Sequence, residues 1–205
     1  AGVDVDIANW EAAKSTAGTY NFKYSDDHGR TWSKKRYQVP IRRTRVDREV
    51  APEAKIPEDL MWGWCVDAPD IAHGSAFFIF NKFSNFRMWK YVESEGWFIR
   101  SDNILTENDP EKIRWTTYPE GEEGIYSPEL RRPGHPRLGK GGGIQTEFHS
   151  VGLSTPGHFY CVNRTEKGLI GSSYTRDGGR TWTTPVPATY ADGLRMIKNP
   201  RACPT

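Results

Sequence analysis

The sequence has little of what marks membrane, metal-binding and nucleic-acid-binding proteins. No apolar run approaches the ~18 residues that a membrane-spanning helix needs. The net charge is only +2, from 28 basic and 26 acidic residues, so the composition does not call for nucleic acid or an acidic membrane as a partner. Three cysteines lack metal-ligand spacing, and their odd number prevents complete internal pairing. We expect no metal, no cofactor, no nucleic-acid partner and no membrane span.

Helical periodicity and a leader peptide are also missing. No segment sustains a 3.6-residue apolar period, and short helices are expected only near residues 10 and 110. The start A-G-V-D-V-D has neither an initiator Met nor a charged and then apolar leader, so no signal peptide is visible. The basic run at 41–48 is expected to be a solvated loop, because no aromatic residues interleave with it. The chain ends in K-N-P-R-A-C-P-T, which resembles the beginning of an element, and we expect a fragment of a longer protein.

Short segments rich in aromatic and β-branched residues dominate the chain and predict strands. They are T-Y-N-F-K-Y (19–24), A-F-F-I-F (76–80), R-M-W-K-Y-V (87–92), G-W-F-I-R (96–100), H-F-Y-C-V-N (158–163) and L-I-G-S-S-Y (169–174). Turn sequences such as S-T-P-G and T-E-K-G separate the later ones. The predicted fold class is all-β.

These strands group into repeated units. Residues 144–187 predict a four-stranded antiparallel meander. Residues 64–119 predict a degenerate copy, with a hairpin inside 90–101 and a last strand at 113–116, and residues 18–38 predict one further hairpin. Repeated four-stranded sheets of this size are typical of the blades of a β-propeller. We expect a single domain, 1–205, with about three blades.

One string occurs twice and sharpens this interpretation. Ser25-x-Asp27-x-Gly29-x-Thr31-Trp32 returns as Thr175-x-Asp177-x-Gly179-x-Thr181-Trp182. In a tight hairpin turn an Asp carboxylate accepts hydrogen bonds from backbone N–H groups, and Gly permits a positive φ. The Thr and Trp positions then follow from the turn. We expect both indoles to be buried between neighbouring sheets, and we expect neither Asp to be catalytic or to bind a metal.

The string resembles the Asp-box, S/T-x-D-x-G-x-T-W, of sialidases and other BNR-repeat proteins. The resemblance implies a six-bladed or seven-bladed propeller, of which this chain would lack the first and last blades. It also implies an exo-α-sialidase-like glycoside hydrolase that acts on an acidic sugar, secreted or periplasmic. In that family the boxes lie on outer turns, away from the active site, so they indicate the fold and not the reaction.

The resemblance also implies site residues. In sialidases a Glu on an inner strand polarises a tyrosine nucleophile, and three arginines bind the sugar carboxylate. Glu147 and Arg164 match that spacing before the second box, and Arg201 is a further candidate for substrate binding. The family's R-I-P-like arginine is absent, and Asp4 and Asp6 alone precede the first box as acid/base candidates. A Glu–Arg pair that only joins neighbouring blades remains the structural alternative.

Two other functions stay open. His149, His158, Tyr160 and Arg164 suit β-elimination of a uronate polysaccharide, as in ulvan lyases that resemble this fold. Arg would neutralise the carboxylate, His would remove the acidic proton, and Tyr would protonate the leaving oxygen. The third possibility is a non-catalytic glycan-binding propeller, with sugar rings stacked on exposed aromatic residues. The candidates for such stacking are Trp62, Trp64 and Trp89.

Overall fold

The computed structural model describes residues 2–3, 20–50, 63–65, 69–83, 94–132 and 142–198. The strands are β1 (Gly2–Val3), β2 (Tyr20–Phe22), β3 (Tyr37–Val39), β4 (Gly63–Cys65), β5 (Asp70–Ala72), β6 (Ser75–Phe83), β7 (Ser94–Ser101), β8 (Thr116–Tyr118), β9 (Ile144–Gly152), β10 (Phe159–Thr165), β11 (Ile170–Thr175) and β12 (Val186–Pro187). Helix in these residues is limited to a π-helical turn (Val46–Val50) and two 3-10 turns (Pro110–Lys112 and Pro128–Leu130). The turn at Pro110 agrees with the helix expected near residue 110, whereas the one expected near residue 10 lies outside the described residues.

The strands of the described residues all pair antiparallel and form three sheets. β1, β2 and β3 form the first sheet, and β4, β6, β7 and β8 form the second, with β5 paired to the outside of β6. β9 to β12 form the third sheet in simple meander order, as the sequence predicts for 144–187. The described residues do not close into a ring, so a closed propeller remains a prediction.

The second sheet departs from the sequence expectation at its centre. Ser94, Glu95 and Gly96 lie inside β7 and pair with Phe83, Lys82 and Asn81 of β6. The hairpin expected within 90–101 is therefore wrong. Gly96 exchanges two 2.8 Å backbone hydrogen bonds with Ile125, and a Cβ on Gly124 would lie 2.7 Å from the Gly96 carbonyl oxygen. Glycine at positions 96 and 124 therefore allows two backbone segments to approach closely, and Gly96 does not form a turn. The last strand, β8, begins at Thr116 and not at residue 113, and the strand expected at 87–92 lies outside the described part.

Two apolar clusters join the sheets in chain order. Between the first and second sheets lie the buried residues Tyr20, Val39, Phe80, Trp97 and Ile99, with Phe22, Phe78 and Trp115 packed against them. Between the second and third sheets lie Phe77, Ile79, Phe98, Tyr118, Ile125, Ile144, Phe159 and Cys161, with Trp182 packed against them. Each of the two junctions thus contains one tryptophan that follows a turn.

The first turn motif, residues 25–32, is held by its own side chains. The Asp27 carboxylate accepts hydrogen bonds from the Thr31 backbone N–H at 2.8 Å and the Thr31 hydroxyl at 2.6 Å. The Ser25 hydroxyl donates to Asp27 at 2.7 Å and accepts from the Gly29 N–H at 2.7 Å. Gly29 has φ +83°, a conformation that favours glycine.

The second turn motif, residues 175–182, repeats this network. Asp177 accepts from the Thr181 N–H at 3.0 Å and the Thr181 hydroxyl at 2.6 Å. The Thr175 hydroxyl donates to Asp177 at 2.7 Å and accepts from the Gly179 N–H at 3.1 Å. The expected turn chemistry is therefore present in both copies.

A degenerate third copy joins β7 to β8. The Asn103 side-chain oxygen accepts from the Arg114 N–H at 2.9 Å, and the Ser101 hydroxyl accepts from the Ile104 N–H at 3.1 Å. Asn103 thus accepts a backbone N–H of its turn, as Asp27 and Asp177 do in the two motifs. Its turn is several residues longer. Trp115 follows it, as Trp182 follows the second turn motif.

The tryptophans obey one packing rule at both junctions. Trp182 stacks on Phe98 of the second sheet, with ring centroids 4.5 Å apart and planes inclined by 5°. Trp115 packs on Phe22 of the first sheet, with centroids 5.6 Å apart. Phe98 and Phe22 each lie three positions before the hydroxyl residue that opens their own sheet's turn, Ser101 and Ser25. Each tryptophan therefore covers the same position of the sheet that precedes it.

Trp32 does not meet the sequence expectation. Its side chain is 60% exposed, and the prediction that it is buried between two sheets is wrong. By the packing rule Trp32 would cover a sheet that precedes the first sheet, and the described residues supply none there. The prediction holds for Trp182, which is partly buried and donates its indole N–H to the Gly179 carbonyl at 3.1 Å.

Candidate functional site

The two principal candidate positions, 147 and 164, lie where the regular pairing of β9 and β10 ends. Asn163 pairs with Phe148 and Thr165 pairs with Ile144, so β10 advances by two residues while β9 advances by four. Arg164 thus lies opposite residues 145–147 of β9, and Glu147 is the position next to the last regular pair, Phe148 with Asn163. Bulges of this kind occur next to active sites, where they re-aim a side chain.

The register also places the other candidates. His149 is the cross-strand partner of Val162, and Tyr160 is the partner of Val151, so positions 149 and 160 are diagonal neighbours. Tyr160 and Arg164 are half-buried and alternate with the buried residues of β10. They are four residues apart, about 13 Å along the strand.

The remaining candidates are not brought to this place. His158 lies in the turn before β10, where its N–H donates to the Thr155 carbonyl at 3.0 Å, and it is about 20 Å along the strand from Arg164. His158 is thus two residues from Tyr160 and six from Arg164. Arg201, Asp4, Asp6, Trp62 and Trp89 lie outside the described residues, and Trp64 lies in β4 opposite Asn81.

The loop that leads into β9 is fixed by a carboxylate. Glu166 accepts hydrogen bonds from the Gly143 N–H and from the Arg132 N–H, both at 3.1 Å. Gly143 has φ +81°, and a Cβ there would lie 1.7 Å from the Ser127 carbonyl oxygen. A side chain at this position would push the loop away from Ser127. These contacts set where β9 begins, and so where Glu147 falls in the register.

A buried ionic group at the other side of the second sheet was not foreseen. The Lys82 ammonium is fully buried and donates to Asp47 at 2.5 Å, to the Arg42 carbonyl at 2.6 Å and to the Thr44 hydroxyl at 3.1 Å. All three of its protons are therefore used. Burial lowers the pKa of Lys82, and the charge of Asp47 opposes that shift.

This group corrects the expectation for the basic run at 41–48. Thr44, Val46 and Asp47 are buried, so the run is not a solvated loop. The Arg42 guanidinium donates to the Pro119 carbonyl at 2.6 Å, and Arg45 pairs with the buried Glu95. No local pattern could reveal this, because the partners lie about 35 to 80 residues further along the chain.

Tyr126, beside that group, is not an activated phenol. Its hydroxyl donates to Glu123 at 2.8 Å. Burial first, and then the hydrogen bond and charge of Glu123, raise the pKa of Tyr126 to about 12. This phenol stays protonated at neutral pH, which is the reverse of what a nucleophile needs.

The turn carboxylates are held ionised by the hydrogen bonds of their own motifs. The Thr31 hydroxyl, the Thr31 N–H and the Ser25 hydroxyl lower the pKa of Asp27 to about 2. Burial opposes the ionisation of Asp177, but hydrogen bonds from Thr181 and Thr175 outweigh it and keep the pKa of Asp177 below its ordinary value. In the described part of the chain no three His, Cys, Asp or Glu residues are grouped so as to hold a metal ion.

Comparison with known proteins yields distant structural likeness alone. No family model matches the chain, and no curated protein matches it. The NanB sialidase of Streptococcus pneumoniae, solved with 2-[(3-chlorobenzyl)ammonio]ethanesulfonate, is similar at 17% identity and a TM-score of 0.45, over 87% of this chain and 20% of that one. The intramolecular trans-sialidase of Ruminococcus gnavus, solved with oseltamivir carboxylate, is similar at 21% identity and a TM-score of 0.43, over 84% and 27%. The chain thus spans about a fifth to a quarter of these proteins. No helix among the described residues is long and apolar enough to cross a membrane.

Proposed function

We propose that this chain is part of a sialidase-type glycoside hydrolase that acts on an acidic sugar, in a secreted or periplasmic protein. The observation that supports the proposal is that Glu147 of β9 and Arg164 of β10 both lie next to Phe148 and Asn163, the last regular pair before a bulge. On this proposal the two turn motifs are Asp-boxes, and the three sheets are blades of a larger propeller. The bulge begins at these two positions, and bulges are common next to active sites.

The chemistry follows from the two residue types. A planar guanidinium holds a sugar carboxylate through two parallel hydrogen bonds, and Arg164 would do this. A carboxylate beside a phenol takes its proton and makes it a nucleophile, and Glu147 would do this for a tyrosine that this chain does not identify. Sialidases use such a tyrosine in place of the usual second carboxylate.

The test is turnover of a chromogenic sialoside by the full-length protein. Glu147→Gln should abolish turnover, whereas Arg164→Lys should raise KM more than it lowers kcat, because Lys cannot bind a carboxylate bidentately. Glu120→Gln is the matched control and should be silent, since Glu120 is exposed near the second turn motif. Unchanged turnover in Glu147→Gln would contradict the proposal. Retention on a glycan array without any turnover would instead indicate a binding module.

A lyase is the second candidate, because the register favours part of its residue set. Positions 149 and 160 are diagonal neighbours on β9 and β10, within reach of one sugar residue. His149 would remove the acidic proton, Tyr160 would protonate the leaving oxygen and Arg164 would neutralise the uronate. This function predicts that ulvan gains ultraviolet absorbance from an unsaturated uronate, and that His149→Ala removes the gain.

A further inference from the structure

The chain contains one N-glycosylation sequon, Asn163-Arg164-Thr165. An Asn-x-Ser/Thr sequence whose middle residue is not proline is the acceptor for N-linked glycans, and in secreted proteins it normally lies in a surface loop. No other Asn of the 205 residues is followed two positions later by Ser or Thr. Any N-linked glycan on this chain would therefore be attached to Asn163.

The structure places this sequon inside the third sheet and not in a loop. Asn163 lies in β10, between its cross-strand partners Phe148 of β9 and Gly171 of β11. Asn163 is 0% exposed and Thr165 is 2% exposed. Because β10 is paired along both of its edges and both polar residues of the sequon are buried, the folded chain does not present the acceptor to an enzyme.

The surroundings of the Asn163 amide leave no room for a sugar. A Cβ on Gly171 would lie 2.2 Å from the Asn163 Oδ1 atom and 3.0 Å from the Thr165 Cγ2 atom, so even one additional carbon atom clashes there. Along β10 Asn163 lies on the same face as Phe159 and Cys161, which are buried against the second sheet. The Nδ2 atom, which would carry the glycan, is itself buried. A close-packed interior of this kind cannot accommodate a hydrated oligosaccharide.

We propose that N-glycosylation of Asn163 and folding of the third sheet exclude each other, so that Asn163 accepts a glycan only in the unfolded chain. In the transfer, the Asn163 Nδ2 atom forms a bond to C1 of the first sugar of a lipid-linked oligosaccharide. The bond between C1 and the phosphate oxygen breaks, the lipid diphosphate leaves, and one amide proton is released. The bulky glycan then prevents β10 from being buried against the second sheet. The proposal does not depend on the proposed enzymatic function.

The first test offers the purified chain to an oligosaccharyltransferase with its lipid-linked donor, and the intact mass measures the added glycan. The folded unmodified chain should remain unglycosylated. Gly171→Val should be glycosylated at least about tenfold faster, because its side chain clashes with the Asn163 amide and opens the sheet. Ser172→Val is the matched control, since this neighbouring position of β11 faces away from Asn163, and it should stay unglycosylated. A glycan on the folded unmodified chain, or none on Gly171→Val, would overturn the proposal.

The second test lets the transferase meet Asn163 before the chain has folded. The full chain is placed behind a secretion leader and translated in the presence of endoplasmic-reticulum microsomes. Part of the chains should gain a glycan, and a protease should digest these while it leaves the unglycosylated chains intact. A competing acceptor tripeptide suppresses glycosylation without any change of sequence, so it should increase the protease-resistant fraction. The proposal fails if no chain is glycosylated, or if glycosylated chains resist the protease as well as unglycosylated ones.

Discussion

The first and second turn motifs have the same internal bonds and different surroundings. In both, the carboxylate accepts the N–H and hydroxyl of the Thr four residues on, and the opening hydroxyl residue accepts the glycine N–H. Among the described residues, only the second motif touches another sheet. There the Arg100 guanidinium donates to the Gly178 carbonyl at 2.8 Å, and the Glu120 N–H donates to the Arg180 carbonyl at 2.8 Å. The turn is a local product of its sequence, whereas the burial of its tryptophan depends on a neighbouring sheet.

The fourth position of the motifs, His28 in the first and Gly178 in the second, also differs in its surroundings. His28 adopts φ +59° in the first motif, and Gly178 takes that place in the second with φ +75°. Histidine tolerates this conformation better than most residues. At Gly178, however, a Cβ would come within 2.3 Å of Arg100 Nη1. A side chain is possible at position 28 because no neighbouring sheet approaches it among the described residues.

Removing the two indoles should give the largest difference between the motifs. Trp182→Ala deletes a ring stacked on Phe98 and should lower the free energy of unfolding by about 3 kcal/mol. Trp32→Ala removes an exposed ring and should change it by no more than about 0.5 kcal/mol. Urea denaturation measures both. Equal losses would mean that the two tryptophans are equally buried.

Replacing the glycine that occupies the same place in each motif, Gly29 or Gly179, with alanine should give the next largest difference in stability between the motifs. Gly29→Ala and Gly179→Ala both force a side chain onto a positive φ, which costs about 1–2 kcal/mol. At Gly179 the new Cβ would also lie 3.2 Å from the Phe77 ring and 3.6 Å from Tyr118, and overpacking adds about 1–3 kcal/mol. Thermal unfolding should therefore separate the two variants. A Gly29→Ala variant that is as unstable as Gly179→Ala would contradict the open surroundings of the first motif.

The smallest effect should be electrostatic. Thr31→Val removes the hydrogen bond that contributes most to the low pKa of Asp27, so that pKa should rise from about 2 toward the ordinary 3.8. Because the folded pKa lies below the unfolded one, the stabilisation is present above pH 3.8 and is lost as the pH falls toward 2. The variant should lose part of this acid dependence.

Carboxyl NMR titration measures that shift directly, with Thr181→Val as the matched variant. Burial already opposes the ionisation of Asp177, so its pKa in Thr181→Val should end above that of Asp27 in Thr31→Val. An unchanged pKa of Asp27 in Thr31→Val would show that the hydroxyl is not its main partner.

The local parts of the fold could be predicted from the sequence. The four strands of 144–187, their order and the bonds of both turn motifs follow from alternation and turn chemistry within a few residues. The predictions that failed depend on distant contacts. Gly96 has the sequence neighbourhood of a turn but accommodates the backbone of Ile125. The run at 41–48 has the composition of a solvated loop but is buried around Lys82.

The candidate site was predictable in part for the same reason. The spacing of Glu147 and Arg164 along the chain indicates neighbouring strands, and the structure pairs β9 with β10. A bulge begins at these two positions, close to the loop before β9, where Glu166 holds Gly143. The alternation of apolar and polar residues does not reveal where a strand contains additional residues. The register shift between β9 and β10 could therefore not be predicted from the sequence.

Solvent exposure of the individual indoles tests the central claim, that a tryptophan after each turn packs on the sheet before it. Fluorine NMR of the protein labelled with 5-fluorotryptophan, assigned by single Trp→Phe substitutions, measures the solvent isotope shift of each ring between light and heavy water. Trp32 should show a large shift, and Trp115 and Trp182 should show small ones. A large shift at Trp182, or a small one at Trp32, would contradict the stacking of the three sheets.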